Sequence, residues 1–355
     1  MAKITIAERE IGTGHPCFIV AELSENHHQN YEEAVELIHA AQKAGADAVK
    51  LQTYTPDTIT IDSDKKWFFL GGKDTIASWK ETNLYGLYKT AYTPWEWQPK
   101  LKKLADELGI ILFSSVFDAT SVDFLEEMDV PCYKIASYEV VHLPLIKKVA
   151  QTKKPVIMST GFASLEEIED AVNVLRENGT TELALLHCVT GYSAMPDPDT
   201  MHLATIQDLA KRFNVVTGFS DNNAGIEFPI QAAGMGASII EKHLILNRMS
   251  RGHDARFSIE PDELKQMVDA IQRIERARGS VHYGPASDTE ENFKNIRPSI
   301  FVVQNIPKGH QFTKENIRVI RPGYGLKPKH LEEILGKNAS EDIERGTPLA
   351  WDLVS

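Results

Sequence analysis

Cysteine is scarce in this chain, and that scarcity is the first restriction on its chemistry. Cys17, Cys132 and Cys188 are the three cysteines among 355 residues. All stand inside apolar runs, without the paired spacing of a metal or redox motif. They read as reduced core thiols of a cytosolic protein, not as a disulfide framework. Long apolar runs are missing as well. No stretch approaches the ~18 residues of a membrane span, and the opening Met-Ala-Lys-Ile-Thr has no signal-peptide core. Basic charge is in deficit: 38 Lys and Arg stand against 50 Asp and Glu, a net charge of −12. That balance speaks against a nucleic-acid partner, which wants a basic face. It leaves room for a local basic pocket. A Gly-rich phosphate loop and a dinucleotide fingerprint are both absent, so a nucleotide ligand is disfavoured.

What is present is a soluble globular composition, 42% hydrophobic and 25% charged, with a strong internal pattern. Eight times between residues 17 and 245 a short apolar run ends in, or carries, a residue that can do chemistry. Cys17–Ala21 ends at Glu22, Ala48–Leu51 carries Lys50, and Ile110–Phe113 ends at Ser114 and Ser115. Cys132–Ala136 carries Lys134 and ends at Ser137, and Val156–Met158 ends at Ser159 and Thr160. Leu183–Leu186 ends at His187, Val215–Phe219 at Ser220 and Asp221, and Ser238–Ile240 at Glu241 and His243. Buried parallel strands read as continuous apolar runs, and amphipathic stripes lie between most of these. Eight units close a (β/α)8 TIM barrel, an α/β fold with its active site at the carboxyl ends of the strands.

The predicted helices include Tyr31–Ala44, Leu165–Glu177, Ala224–Gly234 and Glu260–Arg278. The stretch Thr53–Pro94 is too long for an ordinary barrel loop and follows a strand end, where long loops shape substrate pockets. Its aromatics and those just beyond it, Trp67, Trp79, Tyr85, Tyr88, Tyr92, Trp95 and Trp97, fit either a small satellite core or a sugar-facing wall. The barrel domain is placed at 1–278, a Gly/Pro/Ser linker at 279–295, and a second domain at 296–355. That last unit contains an echo, Asn305-Ile-Pro-Lys-Gly against Asp342-Ile-Glu-Arg-Gly, which predicts a small pseudo-symmetric domain of short strands and turns.

Lys50 and Lys134 sit in strands that are otherwise apolar. A buried unpaired ammonium is expensive, so each should point into the barrel mouth at a partner. That partner is either a substrate anion or a barrel carboxylate such as Glu22 or Glu241. Hydroxyls end four of the strands: Ser115, Ser137, Ser159 with Thr160, and Ser220. One such serine is a common helix cap. Two lysines and four hydroxyls at one end of one barrel form a cradle for phosphate and carboxylate.

The chain resembles the sialic acid synthases, and the pseudaminic acid synthases most closely, over nearly its whole length. The resemblance is carried by Ala21-Glu-Leu-Ser-Glu-Asn26-His27, Ala44-Gly-Ala-Asp-Ala-Val-Lys50-Leu-Gln52-Thr-Tyr-Thr-Pro56 and Ala91-Tyr-Thr-Pro-Trp-Glu-Trp97. Tyr133-Lys-Ile-Ala-Ser137-Tyr-Glu139, Ser159-Thr-Gly161, Ile240-Glu-Lys-His243 and Arg321-Pro-Gly-Tyr-Gly-Leu326 extend it. It implies a barrel followed by an antifreeze-like (SAF, β-clip) domain. It also implies a transferase that condenses phosphoenolpyruvate with an open-chain amino-hexose and releases phosphate. By that resemblance Lys50, Ser115, Lys134, Ser137, Ser159 and Ser220 hold phosphoenolpyruvate. Gln52, Asn26, Tyr192 and Arg321 bind the sugar, Arg321 reaching across from a partner subunit in a domain-swapped homodimer. Glu22, Glu139 and His243 form the catalytic set, with Glu139 as proton shuttle.

The resemblance also implies a divalent metal, Mn2+ or Mg2+, which polarises the sugar aldehyde. Here the chain departs from the pattern. The family pairs a histidine after strand seven with one after strand eight, and this chain keeps His243 but reads Ser220-Asp221-Asn222. An amide oxygen is a harder and weaker ligand than imidazole, so the metal on His243 and Asn222 should be held weakly. His187 fits a core histidine as well as a site residue. Of His27 and His28 only one should face the site, and Asp254 fits either a turn or the site. The expected protein is a cytoplasmic pseudaminic-type synthase. Its rivals are a sibling acting on N-acetylmannosamine or a legionaminate-type sugar, and an idle sugar-binding relative.

Overall fold

The computed structural model describes residues 2–70, 82–250 and 252–355. Trp79 lies outside them. The chain divides into two units, 1–279 and 280–355. The first opens with an antiparallel hairpin, β1 (Lys3–Ile6) and β2 (Arg9–Gly12). Eight parallel strands follow: β3 (Phe18–Glu22), β4 (Ala48–Thr53), β5 (Ile111–Val116) and β6 (Tyr133–Ile135), then β7 (Val156–Ser159), β8 (Leu183–Val189), β9 (Val216–Asp221) and β10 (Ile239–His243). They close in the order β10-β3-β4-β5-β6-β7-β8-β9. Every apolar run named from sequence overlaps one of them.

Helices alternate with the strands and begin and end where local chemistry dictates. Tyr31–Ala44 is a helix because Asn30 accepts the Glu32 and Glu33 N–H groups at its start. It stops because Gly45, at φ 92°, takes the left-handed cap that closes on Ala41 and Gln42. Its face of Ala34, Leu37, Ile38 and Ala41 is buried against the barrel. The helix expected at 224–234 starts later, at Glu227, and the one expected from Glu260 starts at Pro261.

Strand parity sorts the barrel interior. Side chains two apart share a face, and the inward set is apolar at the base and polar at the carboxyl end. Phe18 and Val20 precede Glu22, Ala48 precedes Lys50, and Phe113 precedes Ser115. Cys132 precedes Lys134, Ile157 precedes Ser159, Val216 precedes Ser220, and Ile239 precedes Glu241. At Gly218 the barrel is too tight for a side chain: an added Cβ would lie 2.3 Å from the Ile239 carbonyl oxygen. The base is sealed by Ile4, Ile6 and Ile11 of the hairpin, which pack into this interior cluster. Alternation also explains Lys242, a third buried strand lysine. It has the other parity, and it pairs at 2.7 Å with Asp221 across β9 and β10 instead of entering the cavity.

The second unit packs Ile300, Val302, Ile306, Phe312, Ile317, Ile334, Ala339, Ile343 and Leu349 into its own core. Its two-stranded sheet pairs β11 (Ser299–Val302) with β12 (Ile317–Ile320). The sequence echo is a real pseudo-symmetry. Ile306 and Ile343 exchange backbone hydrogen bonds of 2.9 and 2.8 Å. The first residue of each half then caps the other: Asp342 accepts from Lys308 N–H at 2.7 Å, and Asn305 from Arg345 N–H at 2.8 Å. The stretch expected as linker is not bare coil, because Ser287 caps a helix at Asp288–Phe293.

The hairpin was not legible as a barrel plug, and its contribution is testable. Ile11 is fully buried, so Ile11→Ala should cost about 2–5 kcal/mol, read as a lower denaturation midpoint of the barrel. An unchanged midpoint would place the hairpin outside the cooperative core.

Candidate active site

A cavity of about 390 Å³ opens at the carboxyl ends of the strands. It gathers most of the residues singled out from sequence. Glu22, Lys50, Gln52, Ser115, Lys134, Ser137, Glu139, Ser159, Tyr192, Ser220, Asn222, Glu241, His243 and Asp254 all line it. Register brings them together: Gln52 stands beside Ser115 and Ser115 beside Lys134, while Glu22 is flanked by Lys50 and His243.

The floor is a buried charge cluster. Lys50 is 3% exposed and Lys134 2%. Lys50 pairs with Glu22, donates to Ser115 Oγ at 2.9 Å and lies 3.6 Å from Glu241 Oε1. Lys134 lies 3.7 Å from the same Glu241 oxygen, which also accepts from Ser220 Oγ at 3.1 Å. Burial opposes charge on Lys50, but Glu22 and Glu241 more than offset it, and its pKa stands above the usual lysine value. Burial likewise opposes charge on Glu241, and Lys134 with Lys50 outweighs it, so its carboxyl titrates below the usual range. Of the two readings of these lysines, carboxylate pairing is what the structure shows, and both side chains also face the cavity.

Spare bonding capacity remains on this floor. The Ser159 hydroxyl is buried without a hydrogen-bond partner among the described residues, and the Ser137 hydroxyl has only the weakly accepting Cys188 thiol beside it. Lys134 Nζ makes one long hydrogen bond, 3.3 Å to Ile135 O. Such buried under-bonded donors are rare unless a ligand or water satisfies them. Glu139 sits above, one carboxyl oxygen buried and unpartnered among the described residues. Burial pushes its pKa up to about 8, against a smaller lowering by Lys134.

A second polar group lies beyond Glu22. Gln52 donates to Glu22 at 2.9 Å and to Ser24 Oγ at 3.2 Å, and Ser24 donates to Asp254 at 2.5 Å. Glu25 accepts the Asp254 backbone N–H at 2.8 Å. Burial and the nearby Glu25 push the Asp254 carboxyl up to about 8. Ser24 and Glu25 escaped the sequence reading because strand periodicity ends at Glu22, and only the turn folds them back over the mouth. Cys188 was read as a core thiol; it is buried, but one side of it lines the cavity.

Some expected residues stand elsewhere. Asn26 does not line the cavity: its amide donates to Leu244 O at 2.9 Å and Ser258 Oγ at 2.8 Å, tying two loops together. His187 is a core histidine, 2.7 Å from Met201 O and stacked on Phe219. Neither His27 nor His28 lines the cavity. His27 bonds Thr93 at 2.9 Å, and His28 bonds Glu33 at 2.9 Å. Of the described aromatics expected as a wall, Tyr88 lines the cavity. Trp95 stacks on Phe124 and Trp97 packs edge-on against Tyr31 and His27; Trp97, Tyr31 and Phe124 lie against the barrel's own hydrophobic clusters, not in a satellite core. Arg321 belongs to the second unit, just past β12, and is exposed.

The metal expectation meets a sparse donor set. Burial and then Lys50 push the His243 pKa down to about 3, so its ring is neutral, the form that binds metal. Its Nδ1 is buried, without a hydrogen-bond partner among the described residues, and 3.6 Å from Asp254. Asn222 stands at the end of the neighbouring strand with its amide nitrogen 3.9 Å from Cys188 Sγ. Among the described residues no group of three or more His, Cys, Asp or Glu side chains is placed to hold an ion. One imidazole and one amide oxygen fit a loosely held hard cation that keeps its waters, not a closed site.

Comparison with known proteins agrees with this geometry. Residues 37–283 match the NeuB family and residues 297–355 the SAF domain. The chain belongs to the NeuB family. It is 41% identical to a pseudaminic acid synthase of Campylobacter jejuni, over 95% of this chain and 96% of that one. It is 40% identical to a pseudaminic acid synthase of Helicobacter pylori, over 95% and 97%. The crystal structure of the spore coat polysaccharide biosynthesis protein SpsE of Bacillus subtilis superposes with a TM-score of 0.66. That match is 34% identical and covers 100% of this chain and 99% of the other. The protein is a carbon–carbon bond-forming synthase of the nonulosonic acid type.

Glu139 gives this site a pH signature. With a pKa near 8 it is neutral below that pH and loses its proton above it. If turnover needs the acid form, kcat should fall as pH rises through about 8, and Glu139→Gln should lose that limb together with most activity. The same limb persisting in Glu139→Gln would assign it to another group.

Proposed function

We propose that the protein condenses phosphoenolpyruvate with a 2,4-diacetamido-trideoxyhexose to give a pseudaminic-type nonulosonic acid and phosphate. The observation that carries this reading is the cavity floor, with two buried lysines and two under-bonded serine hydroxyls in one place. A small dianion with a carboxylate and a phosphate supplies the acceptors those donors lack. The names of the relatives supply the sugar class.

In this mechanism Lys50, Lys134, Ser115, Ser137, Ser159 and Ser220 hold phosphoenolpyruvate with carbon 3 toward the sugar. Gln52, Glu22 and Tyr192 orient the open-chain sugar. Carbon 3 attacks the aldehyde carbon, and neutral Glu139 gives its proton to the aldehyde oxygen as the bond forms. Water adds at carbon 2 and returns a proton to Glu139. The carbon–oxygen bond to phosphate then breaks as the carbon-2 hydroxyl becomes the ketone, its proton leaving with the phosphate, and the 2-keto acid remains. A divalent ion, Mn2+ or Mg2+, would be held by His243, Asn222 and waters, and would polarise and orient the aldehyde. A cytoplasmic setting for the reaction is part of this proposal.

Phosphate release from phosphoenolpyruvate decides the reading. It should be fastest with a diacetamido-trideoxyhexose, fall on chelation and return with Mn2+ or Mg2+. Lys134→Met should raise the phosphoenolpyruvate KM by roughly 1.5–3 kcal/mol of lost charged contact. Turnover on N-acetylmannosamine instead would make the protein a sibling synthase. Sugar binding without turnover would favour an idle relative, the reading that Asn222 supports.

The active form is proposed as a homodimer with the second unit of one subunit over the barrel of its partner, supplying Arg321 to the sugar's N-acyl group. Residues 317–330 carry Arg318, Arg321, Lys327 and Lys329 with no Asp or Glu, in a chain of net charge −12. Mixing inactive Arg321→Ala and Lys134→Ala chains should restore roughly a quarter of activity, since mixed dimers of two-fold symmetry retain one intact site. Mixtures as inactive as either parent would mean that Arg321 does not act in trans.

A further inference from the structure

The insertion between β4 and β5 carries a helix whose apolar stripe is only partly buried among the described residues. Leu84–Ala91 is amphipathic, with Leu84, Leu87, Tyr88 and Ala91 at the i, i+3, i+4, i+7 spacing of one stripe. Such a stripe normally buries itself against a protein core. Here all four residues line the active-site cavity. Leu87 is buried, whereas Leu84, Tyr88 and Ala91 are only half-buried. Ile59, from the short helix Pro56–Ile59, and Leu70 extend the same wall.

The wall is braced from behind. Tyr54 meets Tyr88 and Phe117 edge-on, with ring centroids 5.4 and 5.1 Å apart. The Trp95 indole N–H holds the Tyr54 carbonyl at 3.1 Å. Thr90 donates its hydroxyl to Leu87 O at 2.9 Å and lies 3.5 Å from His253 Nε2. Elsewhere the lining mixes polar groups such as Glu25, Asp254, Ser24, Gln52 and His253 with the rings of Tyr54 and Phe117. A ligand in this space therefore meets hydrogen-bonding groups on one part of its surface and hydrocarbon on another.

We propose that the stripe Leu84–Leu87–Ala91, with Ile59, is the specificity wall for the sugar. It selects a substrate whose adjoining face is methyl-rich, from deoxy and N-acyl groups, over one that presents hydroxyls there. This deepens the synthase reading and rests on it. A sugar hydroxyl turned to the wall leaves water and finds no partner on Leu84, Leu87, Ala91 or Ile59, whereas a methyl completes the burial the helix lacks. Apolar pockets discriminate modestly, roughly 10–200-fold for one methylene and about 100-fold against an added hydroxyl. The preference should therefore be graded, not absolute.

The test compares kcat/KM for a diacetamido-trideoxyhexose and for N-acetylmannosamine in the full-length protein and in Leu84→Asn. The parent should favour the trideoxy sugar by about tenfold or more. Leu84→Asn should shrink that ratio about tenfold, through the sugar KM, with the phosphoenolpyruvate KM at the parent value. If Leu84→Asn does not fold, Ile59→Thr on the neighbouring helix is read the same way. An unchanged ratio in a folded variant overturns the wall, as does a parent that prefers the hydroxylated sugar. A parent that releases no phosphate with either sugar overturns the synthase reading itself, and the wall proposal falls with it.

Discussion

Lys50 and Lys134 put two positive charges where bulk water does not reach, and Glu22 and Glu241 are the groups that make this tolerable. One oxygen of Glu241 lies 3.6 Å from the first ammonium and 3.7 Å from the second. Glu22 takes the remaining face of Lys50. A buried pair of this kind is weak evidence for stability, yet removing one partner strands a charge and costs about 3–5 kcal/mol. The cluster therefore locks four strand ends together and holds both lysines at the cavity, where the proposed reaction needs an anion bound. Ser115 and Ser220 are already drawn into it, while Ser137 and Ser159 retain most of their bonding capacity.

That cluster exists only because the strands keep register. A slip of one residue would turn Lys50 and Lys134 outward among the helices and bring Val49 and Ile135 into the mouth. Lys242 shows what the other parity means: a lysine on the same kind of strand, sealed with Asp221 outside the cavity. The hairpin closes the opposite end with three isoleucines, so polarity rises from base to mouth along the barrel axis.

The mouth is not uniform. Carboxyl groups gather around Ser24, Glu25 and Asp254, where burial and mutual repulsion favour the protonated form of Asp254. The helix Leu84–Ala91 contributes hydrocarbon. In the proposed reading the strand ends carry the chemistry and the long loop selects among sugars, the division of labour that lets one barrel serve many substrates.

The sequence by itself determined the barrel, because eight apolar runs separated by helical stripes admit few other arrangements and the terminal polar residues shared one phase. It determined the cradle of Lys50, Lys134 and four serines for the same reason, since strand parity is readable without coordinates. It also revealed the echo of the second unit, whose two halves cap each other through Asn305 and Asp342. Tertiary structure alone decided what periodicity does not encode. Turns placed Ser24 and Glu25 over the mouth but left Asn26 beneath it, holding Leu244 and Ser258. Long-range packing made β1 and β2 a plug, set Trp95 and Trp97 against side chains of the barrel's own clusters and His187 beside Phe219, and turned an amphipathic stripe toward the cavity. A stripe announces that a helix must cover its apolar face; what covers it depends on where the chain returns in space.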